Sequence, residues 1–107
     1  MPTIKRAPRL SASLMVALSE GPNHYVGDTE NVSYTGLRLR LKKVFPVGTQ
    51  LHLVFGQPPE LPAITVQGIV RWSEDGKGVG VEFTYLSPRD HQALLRFVNS
   101  QSRREQA

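Results

Sequence analysis

The sequence predicts an all-β fold, namely a six-stranded antiparallel β-barrel that carries one C-terminal α-helix. Short runs of alternating apolar and polar residues fill most of the 107-residue chain, which is typical of half-buried strands. The 9 glycines and 8 prolines are spread along the chain and separate these runs by turns. With 39% hydrophobic residues, the chain can build the core of one small domain.

The strand pattern is clearest in Leu37-Arg-Leu-Arg-Leu-Lys42, where apolar and basic residues alternate without a break. Successive side chains of a strand point to opposite faces. The buried set should therefore be Leu37, Leu39, Leu41, Val79, Val81 and Phe83, with Arg38, Arg40, Lys42 and Glu82 outside. Strands are expected at residues 10–18, 24–32, 37–42, 51–55, 64–72 and 79–83, separated by turns at Glu20–Asn23, Pro46–Thr49 and Glu74–Gly78 and by a loop marked by Pro58, Pro59 and Pro62.

The last apolar segment has helical rather than strand spacing. Ser87-Pro-Arg-Asp90 offers a serine N-cap, a proline at the first helical position and an acidic residue at the third. Apolar residues then recur at helical spacing as far as Ser100, which predicts an amphipathic helix over an open end or side of the barrel. The chain is thus divided into a flexible basic arm (residues 1–9), a barrel with its helix (10–100) and a frayed tail (101–107).

The net charge of +4 is unevenly distributed along the chain. Residues 1–43 hold seven basic and three acidic side chains, whereas residues 44–107 hold six of each. The excess in the first part favours an anionic partner there, such as a phosphate, a nucleotide, a nucleic acid or a lipid headgroup. A solvated basic surface explains the same charge equally well.

Sequence motifs of enzymes are missing. The chain has no cysteine, which excludes disulfides, cysteine zinc ligands and cysteine catalysis. Its three histidines lack the spacing of metal ligands, and Gly76–Gly80 has the pattern of a hairpin rather than of a phosphate-binding loop. We therefore expect a protein that is not an enzyme and that holds neither a metal nor a cofactor.

The beginning of the chain bears on its location in the cell. Basic residues precede the apolar run Leu10–Leu18, as in a secretory signal, but the run holds two serines and no convincing cleavage site follows it. We therefore interpret the run as a strand. No apolar run is long enough to span a membrane, and the expected location is the cytoplasm, without membrane insertion.

Two polar clusters have chemistry that suits a nucleotide. The first is Lys5-Arg6-Ala-Pro-Arg9 on the arm, where a guanidinium group can hold a phosphate or the O6 and N7 edge of guanine. The second is Asn31-Val-Ser-Tyr-Thr-Gly36, which offers an amide oxygen, a short hydroxyl and a glycine that lets a ligand approach the backbone. Taken separately, a solvated arm and a polar turn explain each cluster as well.

These two clusters are followed in order by Gly68-Ile-Val-Arg-Trp72 and Gly78-Val-Gly-Val-Glu-Phe83. On the basis of these segments, the chain resembles the PilZ domain family over residues 5–99. This resemblance implies a PilZ-like six-stranded barrel in a bacterial protein and cyclic di-GMP, a second messenger, as the ligand. The family binds it with an Arg-x-x-x-Arg arm and an Asp/Asn-x-Ser-x-x-Gly turn. The implied ligand-binding residues are Lys5, Arg6, Arg9, Asn31, Ser33 and Gly36.

The arm departs from the family pattern at its first position. Lys5 stands four residues before Arg9 where the family has arginine, and lysine meets a phosphate only as a point charge. Arg6 is a possible substitute on a flexible arm. The resemblance thus implies a cyclic di-GMP receptor that signals to an unknown partner by arm closure over the ligand, while the altered arm leaves open a ligand-free adaptor, for example in motility.

Two further features have open interpretations. The alternation of Ile64, Val66 and Val70 favours an inward Trp72 at the rim of the core, unless a bulge at Gly68 changes the register. An outward indole would instead be able to stack on guanine. Finally, Arg38, Arg40 and Lys42 form a possible phosphate track for single-stranded nucleic acid, although few exposed aromatic residues accompany them. We do not expect a nucleic-acid partner.

Overall fold

The computed structural model describes residues 9–106, with side chains as far as Gln101. It shows the predicted all-β class with one C-terminal helix. The elements are β1 (Met15–Glu20), β2 (Asn23–Val32), β3 (Gly36–Arg40), β4 (Gln50–Gln57), β5 (Leu61–Glu74), β6 (Gly78–Tyr85) and α1 (Pro88–Gln106).

The six strands form one closed barrel in the order β1-β2-β3-β6-β5-β4. Every neighbouring pair is antiparallel, and the pairing of β1 with β4 closes the ring. Short turns of two or three residues join consecutive strands, except that residues 41–49 form a longer connection from β3 to β4. The turn between β1 and β2 contains Gly21 at a positive φ of 55°, a conformation that L side chains rarely adopt.

The core fills the barrel with the inward side chains of all six strands. Leu37, Leu39, Val79 and Val81 are buried, which confirms the alternation predicted for β3 and β6. Two of the residues expected inside, Leu41 and Phe83, are only half-buried and pack against the edge of this core. The reason for Leu41 is that β3 ends at Arg40, so the residue lies beyond the ladder.

Helix α1 begins where the capping residues predict. The Asp90 N–H donates a hydrogen bond to Ser87 Oγ at 3.1 Å, and the Thr65 N–H on β5 donates to the Asp90 carboxylate at 3.2 Å. Leu94, Phe97 and Val98 are buried against the barrel. The helix continues to Gln106, beyond the expected end at Ser100, because no glycine or proline interrupts residues 101–106.

The first strand is shorter than expected, since β1 begins at Met15 rather than at residue 10. Before it, Leu10 pairs with Val32 through two backbone hydrogen bonds of 2.8 and 2.9 Å. Between these points the buried Thr29 hydroxyl accepts from the Leu14 N–H at 2.8 Å and donates to the Ala12 carbonyl. The Thr29 N–H also donates to the Leu14 carbonyl at 2.9 Å, so the side chain supplements the backbone hydrogen bonds where β2 is irregular.

Candidate ligand-binding groove

A groove of about 600 Å³ lies on the outer face of the barrel above β3 and β6. Its floor includes Arg38 on β3 and Gly80 on β6, which are directly paired. One wall carries Arg9 and Asn31, and the opposite wall carries Trp72 on β5. The groove therefore brings the end of the arm, the polar turn and an indole together around one space.

Asn31 reaches this groove because β2 has a bulge. Thr29 pairs with Leu39 on the inner face, whereas Asn31 pairs with Arg38 on the outer face, so Glu30 is an extra residue. Without a bulge, residues 29 and 31 would point to the same side of the sheet. The irregularity thus buries the threonine and presents the carboxamide to the groove.

Arg9 is positioned by its neighbour in sequence. The paired backbone groups of Leu10 and Val32 fix the chain beside the end of β2. From there Arg9 Nη1 donates a hydrogen bond of 2.6 Å to Asn31 Oδ1. The structure thus places three of the six predicted ligand-binding residues at one groove, namely Arg9, Asn31 and Gly36, whereas Lys5 and Arg6 lie outside the described part of the chain.

Ser33 has a different environment from the one expected of a ligand contact. It is fully buried, and its Oγ accepts hydrogen bonds from the Thr35 N–H at 3.2 Å and the Gly36 N–H at 3.1 Å. The Ser33 N–H in turn donates to the Gly36 carbonyl at 2.8 Å. This serine shapes the turn and offers no free hydroxyl to the groove.

Gly36 lines the groove, but the fold alone explains why this residue is a glycine. A Cβ atom at this position would collide with the carbonyl oxygen of Val81 on the paired strand β6. The close approach of two strands therefore requires a glycine here. Of the two interpretations, a glycine required by the turn and a glycine that lets a ligand approach, the strand contact supports the first and leaves the second a prediction.

Trp72 faces outward, so the interpretation as an inward residue at the rim of the core is wrong. A register shift lies between Val70 and Trp72, and it makes Arg71 an extra residue of β5. Beyond the shift, Trp72 pairs with the outward Gly80, whereas Ser73 pairs with the buried Val79. The bulge that turns Trp72 outward is therefore at Arg71 and not at Gly68.

The outward indole is covered by a cation. The guanidinium carbon of Arg38 lies 4.0 Å from the centroid of the Trp72 ring, in the geometry of a cation–π contact. Arg38 is half-buried as a result, although the strand pattern predicts an exposed residue. Arg38 and Trp72 line the groove but are not among the ligand-binding residues that the resemblance implies.

Ion pairs reduce the number of free cations around the groove. Arg71 Nε lies 2.9 Å from the Glu82 carboxylate, and Arg40 Nη1 lies 3.0 Å from the Asp28 carboxylate. None of the ion pairs found between residues 9 and 101 involves Arg9 or Arg38. These two guanidinium groups are therefore the positive charges that the groove presents to an anion.

The basic residues of the possible phosphate track do not share one environment. Arg38 stacks on Trp72, Arg40 is paired with Asp28, and Lys42 is exposed beyond the end of β3. Among the residues that the structure describes, no three histidine or acidic side chains are placed to hold a metal ion. Within the same range, no helix is long and apolar enough to cross a membrane.

The described residues form a small β-barrel domain with one C-terminal helix and an arginine-bearing groove on its outer face. The sequence profile of the PilZ domain matches residues 4–100. The chain therefore belongs to the PilZ domain family, a family of cyclic di-GMP receptors whose members are binding and adaptor domains. None of the curated proteins compared with the chain matches it at a significant level.

Solved structures with the same fold have low sequence identity to this chain. The inhibitor of motility MotI/DgrA from Bacillus subtilis superposes with a TM-score of 0.87 at 20% identity, covering 99% of this chain and 55% of its own. The PilZ domain of YcgR from Escherichia coli, solved with c-di-GMP, gives 0.74 at 14%, covering 97% and 95%. The PilZ domain of CeSA from a cellulose-synthesizing bacterium gives 0.68 at 15%, covering 88% and 97%. The chain thus spans about half the length of MotI/DgrA.

Proposed function

We propose that this chain is a receptor for cyclic di-GMP, that it binds the nucleotide in the groove above β3 and β6, and that it signals to a partner protein. The observation that carries the proposal is the 2.6 Å hydrogen bond from Arg9 to Asn31 at one wall of the groove. It joins the end of the basic arm to the polar turn beside a space of about 600 Å³. A clamp on an anionic nucleotide needs this combination of a planar cation and a polar acceptor.

The charges of the groove suit a ligand with two phosphates. Arg9 and Arg38 are the groove-lining cations without an ion-pair partner among residues 9–101; Arg9 directly precedes the backbone pair of Leu10 and Val32, and Arg38 stands on β3. Arg71 is neutralised by Glu82 at 2.9 Å. Two available positive groups thus correspond to the two negative charges of cyclic di-GMP.

The groove also offers a surface for a guanine base. The Trp72 ring and the Arg38 guanidinium form a stacked pair, and a base can extend this stack or take the place of the guanidinium. Stacking of a base on an aromatic side chain contributes about 1–3 kcal/mol. Arg9 can then use its donors for the O6 and N7 edge of guanine, while Asn31 Oδ1 accepts from a guanine N–H.

Signalling by arm closure begins at a defined point of the chain. The two backbone hydrogen bonds between Leu10 and Val32 hold the chain from residue 10 onward, so the closing segment is residues 1–9. A phosphate bound by Arg9 would draw the preceding Lys5 and Arg6 over the groove by charge attraction. The closed arm would create or hide a surface for the partner protein.

A ligand-free adaptor is the second candidate, and the Lys5 substitution favours it. A lysine cannot provide the two-pronged contact of the arginine that the family motif has at this position. The structural neighbour MotI/DgrA is named as an inhibitor of motility, so an adaptor of this kind would find its partner in motility. This role requires the barrel surface but no nucleotide.

Calorimetric titration of the wild type with cyclic di-GMP decides between the candidates. If the groove binds the nucleotide, Arg9→Ala should weaken or abolish binding, because truncating one member of a charged contact costs about 2–5 kcal/mol, or tens to thousands of fold. Asn31→Ala should weaken the free energy of binding by about 1 kcal/mol, since it removes a neutral acceptor. Lys5→Arg should strengthen binding.

The matched control is Arg89→Ala, which removes the same charge from an exposed position on α1, outside the groove. Its affinity should equal that of the wild type. A wild type that shows neither heat nor amide shifts at high micromolar concentration would establish the adaptor instead. Binding that ignores Arg9→Ala would place the nucleotide elsewhere on the barrel.

A further inference from the structure

Gly80 forms part of the groove floor at a place where the fold does not require a glycine. It lies inside strand β6 and is paired with Arg38 on one side and with Trp72 on the other. Its φ is not among the positive values found for four other glycines. A Cβ atom here would meet Trp72 Cβ at 3.4 Å and Cε3 at 3.9 Å, which are ordinary contacts.

Other glycines around the groove differ from Gly80 in this respect. Gly36 has no room for a Cβ atom because the Val81 carbonyl oxygen of β6 lies in the way. Gly78 adopts a φ of 133°, and a Cβ atom there would collide with the Leu39 carbonyl oxygen. A glycine inside a strand loses more conformational freedom on folding than other residues do, so Gly80 weakens the barrel without a return from backbone geometry.

The missing side chain does leave an open space on the outer face. Arg38 and Trp72 stand two strands apart, about 10 Å between their backbones. Nevertheless the guanidinium carbon lies 4.0 Å from the centroid of the indole ring. The two side chains meet above Gly80, where a longer side chain would stand between them. The cation–π contact between these half-buried side chains stabilises the protein by about as much as a strand glycine destabilises it, so the contact leaves the fold with little net gain from the glycine.

We propose that Gly80 is a specificity-determining residue of the groove: its missing side chain keeps open a flat slot beside the Trp72 ring that accepts a purine base. The inference rests on the proposed binding of cyclic di-GMP and adds the position of one base. In the free protein the planar guanidinium of Arg38 fills the slot. A guanine base has a similar flat shape and enters by displacing or covering the guanidinium.

Gly80→Ala and Gly80→Val test this inference by filling the slot in two steps. Both variants should unfold at the wild-type urea midpoint or above it, because any other residue inside a strand costs less conformational entropy than glycine. Affinity for cyclic di-GMP should fall in the order glycine, alanine, valine. For valine we expect the affinity to fall roughly 5- to 150-fold, because its methyl groups would occupy space that the base needs.

The fluorescence of Trp72 gives a second readout, because it is the only tryptophan of the chain. A base stacked in the slot should change the emission of the wild type on saturation, and Gly80→Val should lose most of this change. Thr84→Val is the matched control, since it places valine at an exposed position of the same strand outside the groove. Its affinity and fluorescence change should equal those of the wild type.

The outcomes separate this inference from the proposed function. If the wild type and Gly80→Val bind cyclic di-GMP equally well, the inference about the slot is wrong, whereas the proposed receptor function is unaffected. If Gly80→Val lowers the urea midpoint as well as the affinity, the glycine serves the fold and the inference fails. A wild type that does not bind cyclic di-GMP would overturn the receptor function and the slot together.

Discussion

The role of Ser33 can be tested by removing its hydroxyl. In Ser33→Ala the N–H groups of Thr35 and Gly36 lose the oxygen that accepts from them at 3.2 and 3.1 Å inside the protein. A neutral hydrogen bond contributes about 0.5–1.5 kcal/mol, so two lost bonds should lower the free energy of unfolding by about 1–3 kcal/mol. For a domain of this size, that lowers Tm by roughly 5–20 °C.

Ser73→Ala is the matched control for this substitution. Ser73 Oγ is also buried, but it has no hydrogen-bond partner within the part of the chain that the structure describes, so its removal should leave Tm unchanged or slightly raised. Thermal unfolding followed by circular dichroism measures both variants under the same conditions. If Ser33→Ala unfolds like Ser73→Ala and yet loses cyclic di-GMP binding, the hydroxyl contacts the ligand and its assignment to the turn is wrong.

The barrel core, the Thr29 tether and the basic face of β3 give three further tests. Leu39→Ala should lower the free energy of unfolding by about 2–5 kcal/mol, because Leu39 is fully buried; an unchanged urea midpoint would contradict the register. Thr29→Val keeps the side-chain volume but leaves the Leu14 N–H without its acceptor. The free energy of unfolding should therefore fall by about 1–3 kcal/mol, and amide exchange at Leu14 should become faster. Single-stranded oligonucleotides should bind no more tightly than about 10⁻⁴–10⁻⁶ M at physiological salt in fluorescence anisotropy, and a tighter complex would restore the phosphate track.

Local signals were sufficient to predict the fold class. Alternation in β3 and β6 identifies Leu39 and Val81 as core residues, because the two faces of a strand meet such different surroundings. The capping residues identify the start of α1, since Ser87 and Asp90 act within one turn of the chain. The far end of the helix had no comparable signal, because residues 101–106 contain neither a strong helix breaker nor an apolar repeat.

The groove was predicted less completely because its walls depend on bulges. Counting forward from Ile64 gives Trp72 the inward parity, and nothing within β5 marks the extra residue at Arg71. Counting backward from the hairpin turn gives the right answer. Glu74 pairs with Gly78 and Trp72 with Gly80, on the face opposite to the buried Val79. Parity should therefore be counted from the nearest fixed turn rather than across a long strand.

The two bulges explain how the barrel presents Asn31 on one wall of the groove and Trp72 on the other. In a strand that keeps its register, alternate side chains face the core and the others face solvent. Thr29 and Asn31 would then point to the same side of the sheet. The extra residue at Glu30 resolves this conflict on β2, and the extra residue at Arg71 does so on β5. Because Thr29 holds the segment before β1 while Asn31 holds Arg9, the bulge on β2 links the groove directly to the beginning of the chain. A ligand that contacts Asn31 would therefore act on the strand end to which Leu10 is paired, which is the connection that the proposed signalling by arm closure requires.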